Sequence, residues 1–581
     1  MSRIESSQSK SGWKLWIAAA LLCLGLTALA VLPFFVLGEA TGAECCGGTA
    51  PMTHDGVMHL NQMQSFWRGL TSGRIYPRWD DATHFGYGAP NPIFYPPGVY
   101  YLSSLCYWIL GEWEQVLIVL QLVLMAASGL AIYWYARQSM SGGASIVAMA
   151  VYIVAPYHLL NQYQRGALAE QLSFIWMPLA LLAGERLFAE EARNRIPTLV
   201  GLTAVMGAFL FSHPPTAYQF ILIFGLCAAV IAIRTRRWGW LIMIGIAIVV
   251  GSLVAAAYLF PAFVEQNLIK VEEVGEIWPY HASYVFDFGQ TIYDHTYDDF
   301  TIRLDRIWTF NAVAILLIGS MVVGLRRQLG SDRLLSRVWF WSAAGVLALF
   351  FMTTYSYPIG RFIPKIEIGV FSWRMLSITS LVLALLAGAG WQAAGELLSR
   401  RRAVSILAGA ASLLVVIAAG AMTVWYVAKP MYRAEAFSPD PTHFNRATLP
   451  KGVPFEVPEM GPALLASGGG RIAIDRIQPE FRQYRVELVR ADQLHIRTSK
   501  FPGWTALVDG RVTEVKAGES GQMVIELPVG SHQVTLDFRS TPVRRLCNWM
   551  TVISTALLIS IYLLSVTRAF HRLRPVRPES S

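Results

Sequence analysis

The sequence predicts a polytopic α-helical membrane protein of about 12–13 transmembrane helices, with a β-sandwich-like domain outside the membrane before the last span. Three observations predict it. The 581 residues are 54% hydrophobic and 15% charged, where a soluble chain carries roughly 25% charged residues. Apolar runs long enough to cross a bilayer recur along the chain, and only between about Lys429 and Arg545 does the pattern change to short alternating segments. Basic residues collect in short clusters between the runs and account for most of the net charge of +9, the pattern of cytoplasmic loops and not of nucleic-acid binding.

After Arg3, Lys10 and Lys14 the chain is apolar from Trp16 to Gly38, longer than the roughly 7–15 residues of a signal-peptide core. It reads as a retained anchor whose start lies inside. Further runs at about 115–136, 144–160, 171–189, 197–212, 216–233, 239–260, 307–325, 338–353, 373–398, 404–427 and 547–567 bring the spans to twelve. Even numbers of spans separate the basic clusters at Arg186, Arg193 and Arg195; at Arg234, Arg236 and Arg237; from Arg326 to Arg337; at Arg400 to Arg402; and from Arg568 to Arg577. These clusters therefore share the cytoplasmic face of the membrane.

Counting back from Arg186 puts Gln162 and Glu170 outside, Arg137 inside, and everything from Gly38 to Glu114 outside. The apolar stretch Val99 to Leu110 then should not cross, since its residues reach only about 18 Å against a hydrocarbon core of about 30 Å. Residues 1–428 thus form the membrane domain, with outer loops at 39–114 and 262–306. Residues 429–545 form the β domain, and 546–581 form the last span and a basic tail. Segments such as Tyr484–Val489, Gln522–Leu527 and His532–Phe538, with a turn at Asp509-Gly510, carry the β assignment. Cys23, Cys106, Cys227 and Cys547 lie in or beside apolar runs, and only Cys45 and Cys46 fall in a polar loop. Neither a disulfide framework nor a zinc spacing results.

The first outer loop holds the most chemistry. His59, Met63, Phe66 and Leu70 recur at helical spacing, which sets Asp55 near the start of an amphipathic helix on the membrane surface. A carboxylate there either caps the helix or serves a reaction. Residues 262–306 form an acidic loop, and its segment Tyr293-Asp-His-Thr-Tyr-Asp-Asp299 offers Asp294, His295 and Asp298 as weak candidate ligands for Mg2+ or Mn2+. Solvation of an acidic loop is the plainer reading.

The set His54-Asp55 with His59 four residues on, Gly73-x-x-Tyr-Pro-Arg-Trp79, Gly86-Tyr-Gly-x-Pro90 and Phe94-Tyr-Pro-Pro97 resembles the bacterial membrane family labelled 6-pyruvoyl-tetrahydropterin synthase-related. That family is similar to the GT-C superfamily of polyprenyl-linked sugar transferases. The resemblance continues through Arg165-Gly-Ala-Leu-Ala-Glu170, Ser212-His-Pro-Pro-Thr216 and Phe371-Ser-Trp-Arg-Met375, and Phe501–Gly510 is similar to the outer β domain of YfhO-like proteins. Nothing in the chain resembles a soluble pterin enzyme.

The resemblance implies a GT-C-like fold and an inverting glycosyltransferase that takes a sugar from a polyprenyl-phosphate donor to an envelope glycan, lipid or protein acceptor. It implies Asp55 as general base and Glu170 as a second acid facing the same cavity. It implies further that His54, His59, Arg165, His213 and Arg374 shape the donor site, with the arginines suited to phosphate. Three of these have a plainer alternative: an interface anchor for Arg374, a turn residue for His213, and an ion pair to Glu170 for Arg165. Five residues apart on one helix, Arg165 and Glu170 would not face each other well. The rival readings are a lipid or glycan transporter, which usually carries charges near the midplane of its spans, and a non-enzymatic scaffold whose β domain binds glycan or partners.

Overall fold

The computed structural model describes residues 2–31, 53–189, 195–271, 298–324, 332–363, 371–398 and 446–572. The helices are α1 Ser2–Val31, α2 Gly56–Thr71, α3 Gly98–Leu110, α4 Trp113–Ala136, α5 Gly142–Ile153, α6 Leu168–Ala189, α7 Arg195–Ser212 and α8 Pro214–Thr235. They continue with α9 Trp238–Val254, α10 Ala256–Val264, α11 Asp298–Gly324, α12 Asp332–Phe351, α13 Leu376–Leu398 and, after the strands, α14 Pro542–Arg572. Among the described residues nine helices are long and apolar enough to cross a membrane, and a bent pair, counted as one span, brings the number to ten. This is a multi-pass membrane protein. The expected first span is described as far as Val31, and the expected span at 404–427 lies outside the described residues.

The expected span at 239–260 is not one straight helix. It breaks into α9 and α10, which meet at 82° around Ala255. The backbone groups freed at the break find side-chain partners. The Ala257 N–H donates to the Thr551 hydroxyl of α14 at 2.8 Å. Pro261 lacks the N–H that would reach back to the Ala257 carbonyl, and that carbonyl instead accepts from Arg78 Nη2 at 3.1 Å.

The 99–110 segment forms a short apolar helix. Helix α3 has 13 residues, about 20 Å of rise. Its Gly98 lies against Phe211 and Ser212 at the end of α7, and its Tyr107 stacks on Trp113 at the start of α4 at 4.0 Å between centroids. Gly111, at φ 78°, ends the helix in the left-handed region and turns the chain into α4.

The domain after residue 446 is an antiparallel sandwich. Strands β1 Ala463–Leu465, β2 Gly470–Gln478, β3 Phe481–Leu488, β4 Asp492–Ser499, β5 Trp504–Val508, β6 Arg511–Thr513, β7 Lys516–Ala517, β8 Gln522–Leu527 and β9 Gly530–Phe538 form two sheets, ordered β1-β4-β8-β7 and β2-β3-β9-β5-β6. Alternation gives β3 its buried Tyr484, Val486 and Leu488, and β9 its buried Val534, Leu536 and Phe538. The expected turn joins β5 to β6, with Asp509 and Gly510 both at positive φ between paired Val508 and Arg511.

The sandwich is closed by the first outer loop. Trp79 is fully buried among Phe501, Trp504 and Phe538, and Ile93 belongs to the same apolar cluster. Around it Arg74 pairs with Asp537 at 2.5 Å and Glu480 at 3.3 Å, and the Arg78 N–H donates to Glu480. At the joint to α14, Arg544 is fully buried against Glu265 at 2.8 Å. The Tyr-Pro-Arg-Trp and Phe-Tyr-Pro-Pro motifs are thus largely docking residues. The β domain and the first loop pack against each other as one unit.

Candidate active site

The site is made by a break in the chain after α5. A short helix, Pro156–Leu160, widens into a π turn over Asn161–Arg165 and stops at Gly166, whose φ of 64° places it in the left-handed region. A Cβ on Gly166 would overlap Thr53 Oγ1, so only glycine lets the two segments approach. That approach pairs them: the His54 N–H donates to the Gln164 carbonyl at 3.0 Å, and the Asp55 N–H to the Arg165 carbonyl at 2.9 Å. The chain turns again into α6, and Glu170 comes back over Arg165.

The expectation that Arg165 and Glu170 would not meet is therefore corrected. They do not share a helix, and the turn at Gly166 brings Arg165 Nη1 to 2.5 Å from Glu170 Oε2. Glu170 is completely buried and both its oxygens are engaged. Oε1 accepts from the Tyr157 hydroxyl at 2.7 Å and from Asn161 Nδ2 at 3.3 Å, while Oε2 also lies 3.5 Å from Arg374 Nε. Arg165 Nη1 reaches the Asn161 Oδ1 at 2.6 Å as well. A carboxylate so occupied holds the two arginines together, in the same cluster as Asp55.

Arg374 turns inward. It sits in the Ser372–Met375 turn that starts α13, its guanidinium 4.9 Å over the Phe371 ring and facing Glu170. An interface anchor would extend toward the headgroups instead. His213 proves to be the N-cap of α8, ahead of two prolines that suit the first helical turn. Its Nδ1 accepts from the Thr216 N–H at 3.3 Å and lies 2.7 Å from the Thr216 hydroxyl, which assigns the proton to Nε2. Burial, followed by the charge of Arg374, pulls its pKa down to about 3, so it is neutral.

Asp55 precedes α2 at the N-cap position but makes no capping hydrogen bond, and its carboxylate accepts none from the described residues. Capping is not what keeps it there. Its nearest formal charges include Arg165, and His54 beside it is exposed at the rim.

His59 is not a ligand-facing residue. It lies fully buried one turn below, with Nδ1 3.2 Å from the Tyr100 hydroxyl and Nε2 3.3 Å from the Tyr95 hydroxyl. Because the Tyr100 O–H donates to Gln62 Oε1, the proton count assigns Nδ1–H of His59 as donor to Tyr100 and Nε2 as acceptor from Tyr95. Burial holds this imidazole neutral, with a pKa near 4. Its role is to fix Tyr95, whose hydroxyl lies within electrostatic reach of Asp55, Arg374, Arg165 and Glu170.

The sequence-derived residues Asp55, Arg165, Glu170, His213 and Arg374 are thus gathered on one face. Asp294 and His295 lie outside the described residues, as does the side chain of Asp298. Among the described residues no three His, Cys, Asp or Glu side chains gather as a metal site would need. Sequence reasoning missed Tyr157, Asn161, Gln164 and Arg303, the last donating to Gln164 Oε1 at 3.1 Å. Nothing in their local sequence marks them. Tyr95 had a signal, its place in the Phe-Tyr-Pro-Pro motif.

No protein-family model matches the chain and no curated protein matches it in sequence, so the resemblance to the pterin-labelled family rests on its motifs. Three solved structures are similar in fold. The oligosaccharyltransferase AglB of Archaeoglobus fulgidus, in complex with an inhibitory peptide and a dolichol-phosphate, shares 13% identity over 70% of this chain and 55% of its own, with a TM-score of 0.43. ArnT from Cupriavidus metallidurans bound to undecaprenyl phosphate shares 13% over 72% and 76%, at 0.42. The mycobacterial arabinofuranosyltransferase AftD shares 16% over 71% and 27%, at 0.41. The chain spans about half the length of the archaeal enzyme. No residue role is taken from these likenesses.

Proposed function

We propose that this protein is a membrane glycosyltransferase that moves a sugar from a polyprenyl-phosphate carrier to an acceptor hydroxyl of an envelope glycan, lipid or protein. It works on the face of the bacterial cytoplasmic membrane that bears the β domain. The observation that supports this reading is the pairing of unequal groups: Asp55, a carboxylate without a hydrogen bond, is held by its backbone against Arg165, beside arginines that Glu170 has fixed in place.

Asp55 takes the proton of the acceptor O–H as its oxygen attacks the anomeric carbon of the donor. The bond from that carbon to the phosphate oxygen breaks on the opposite face, which inverts the configuration, and the polyprenyl phosphate leaves with the electron pair. Arg374 and Arg165 meet the charge that develops on it. Glu170 acts as a positioning residue: it draws both guanidinium groups to one point, and its own charge keeps the arginines from repelling each other. His213, with its Nε2–H, supplies a neutral donor for a phosphate or sugar oxygen.

The test is Asp55→Asn. The substitution keeps shape and removes basicity, so turnover is expected to fall by about 10²–10⁴-fold with no change in thermal stability. Mass spectrometry of envelope glycans and polyprenyl-linked sugars, from cells with wild type, with the variant and with neither, reads it. Accumulated polyprenyl-phosphate sugar in the last two strains supports the reading. Normal transfer by a well-expressed Asp55→Asn protein would sink it.

A further inference from the structure

A second feature lies at the other end of the same helices. Between α6, α7 and α9 on one side and α8 and α12 on the other, the bundle leaves an apolar slot with about 610 Å3 of open space, counting its mouth. Its enclosed part is about 90 Å3, and the remainder opens to the outside. Gly184, Met206, Phe224, Gly225, Trp240 and Ile244 are among its walls. It is built open. A Cβ added to Gly184 or to Gly225 would meet nothing within 4 Å, and the indole N–H of Trp240 is held back by the Gly184 carbonyl at 2.9 Å.

The slot is separate from the candidate active site, with Phe220 and Met206 about 10 Å of helix rise from His213. Glu170 and Gly184 lie on one helix and are separated by about 21 Å of rise. Only one lining residue carries a charge, Glu185, and its carboxylate is taken by Arg337 and by the Tyr135 hydroxyl, which itself accepts from Trp341 Nε1 at 2.9 Å. A polar ligand would find nothing to bind; a hydrocarbon chain would gain contact with every wall. One helical turn beyond Trp240 the lining gives way to Arg234, Arg236 and Arg237, all exposed. Arg237 donates to the Phe188 carbonyl at 2.6 Å and rides 4.2 Å over its ring, which leaves Arg234 and Arg236 with no carboxylate against them among the described residues.

We propose that this slot holds one acyl chain of an anionic phospholipid from the leaflet opposite the candidate active site, with its headgroup on Arg234, Arg236 and Arg237. The apolar walls select a chain, and the exposed arginines at their end select a negative head. The site is independent of the sugar-transfer reading, and so is its test.

The full-length protein is purified, stripped of lipid and returned to phosphatidylcholine vesicles containing phosphatidylglycerol with a diazirine at the end of one acyl chain. After irradiation the labelled peptides are mapped by mass spectrometry. Label is expected on α8 between residues 220 and 228 and on α9 between 240 and 248. Gly225→Trp fills the slot and should reduce that label by about tenfold or more, the equivalent of roughly 1.4 kcal/mol of binding. Label on lipid-facing Leu557 of α14 should be unchanged, showing that the variant is folded and inserted. Gly184→Leu repeats the experiment from the opposite wall. The same diazirine carried on phosphatidylcholine should label the slot less, and Arg234→Gln with Arg236→Gln should abolish that difference. The proposal is overturned by an unlabelled slot in wild type, by equal slot labelling in wild type and both filled variants, or by equal labelling from the two lipids.

Discussion

Two groups of arginines in the molecule are built differently. Where the β domain meets the first loop, Arg74, Arg78 and Arg544 stand among Glu480, Asp537 and Glu265, and apolar rings close over them: Tyr76 under Arg78, and Phe501 and Phe538 under Arg544. Acids and bases are matched there, and Trp79 fills the remaining space. At the candidate active site Arg165 and Arg374 share the single carboxylate of Glu170, while Asp55 stays without a hydrogen bond. Matched charges with packed rings make a joint. Two guanidinium groups on one carboxylate, with a second carboxylate beside them, make a cluster of a different kind.

The largest expected effect tests the joint. Trp79→Ala removes a fully buried indole from the β-domain core and should cost about 3–5 kcal/mol. Thermal unfolding and protease cleavage within 446–541 would show it, and an unchanged melting point would mean that the loop does not hold the domain. A smaller effect tests the site. Loss of a charge-assisted phosphate contact is worth about 1.5–3 kcal/mol, so Arg374→Ala should weaken donor use by roughly ten- to a hundredfold. Arg374→Lys keeps the charge but loses the planar fork, and should fall between wild type and alanine. Near-wild-type activity of both variants would make Arg374 a packing residue like those of the joint.

The smallest effect is one of pH. Burial pushes the Glu480 carboxyl up to about 7 from its ordinary 4.5, against the opposing pull of the Arg78 N–H and the Arg74 and Arg78 charges. Between those values the folded protein holds a proton that the unfolded chain has released. Stability therefore falls as pH rises through that window, and the loss is complete above it. Asp80, pushed up to about 6 by burial, adds the same sign, whereas His59, held down near 4, adds the opposite sign below its ordinary 6.5. Glu480→Gln should flatten the upper part of the profile in thermal melts from pH 5 to 8. A slope identical to that of wild type would show that Glu480 stays ionised at the joint throughout.

Much of the site could be read in advance where its residues sat in motifs. Asp55, Arg165, Glu170, His213 and Arg374 were each named from local patterns, and the structure places all five together. The partners that set their chemistry carried no such pattern. Tyr157 and Asn161 meet Glu170 only because the chain turns at Gly166, and Arg303 reaches Gln164 from a helix more than a hundred residues away. His59 was misplaced because helical spacing put it near Asp55 but did not reveal the two tyrosine hydroxyls already on its ring.

By itself the sequence determined the class of molecule. Apolar length sets the spans, alternation sets the strands, and the Asp509-Gly510 pair sets its turn, because each depends on residues close together along the chain. Only the tertiary structure decided that the span after Arg237 bends, since its break is completed by Arg78 and Thr551 from distant segments. Only it decided that Glu170 holds arginines while the Asp55 carboxylate accepts no hydrogen bond among the described residues. Which group is neutralised and which is left reactive depends on contacts across the fold, and a charge in a chain has no environment until other segments have supplied it.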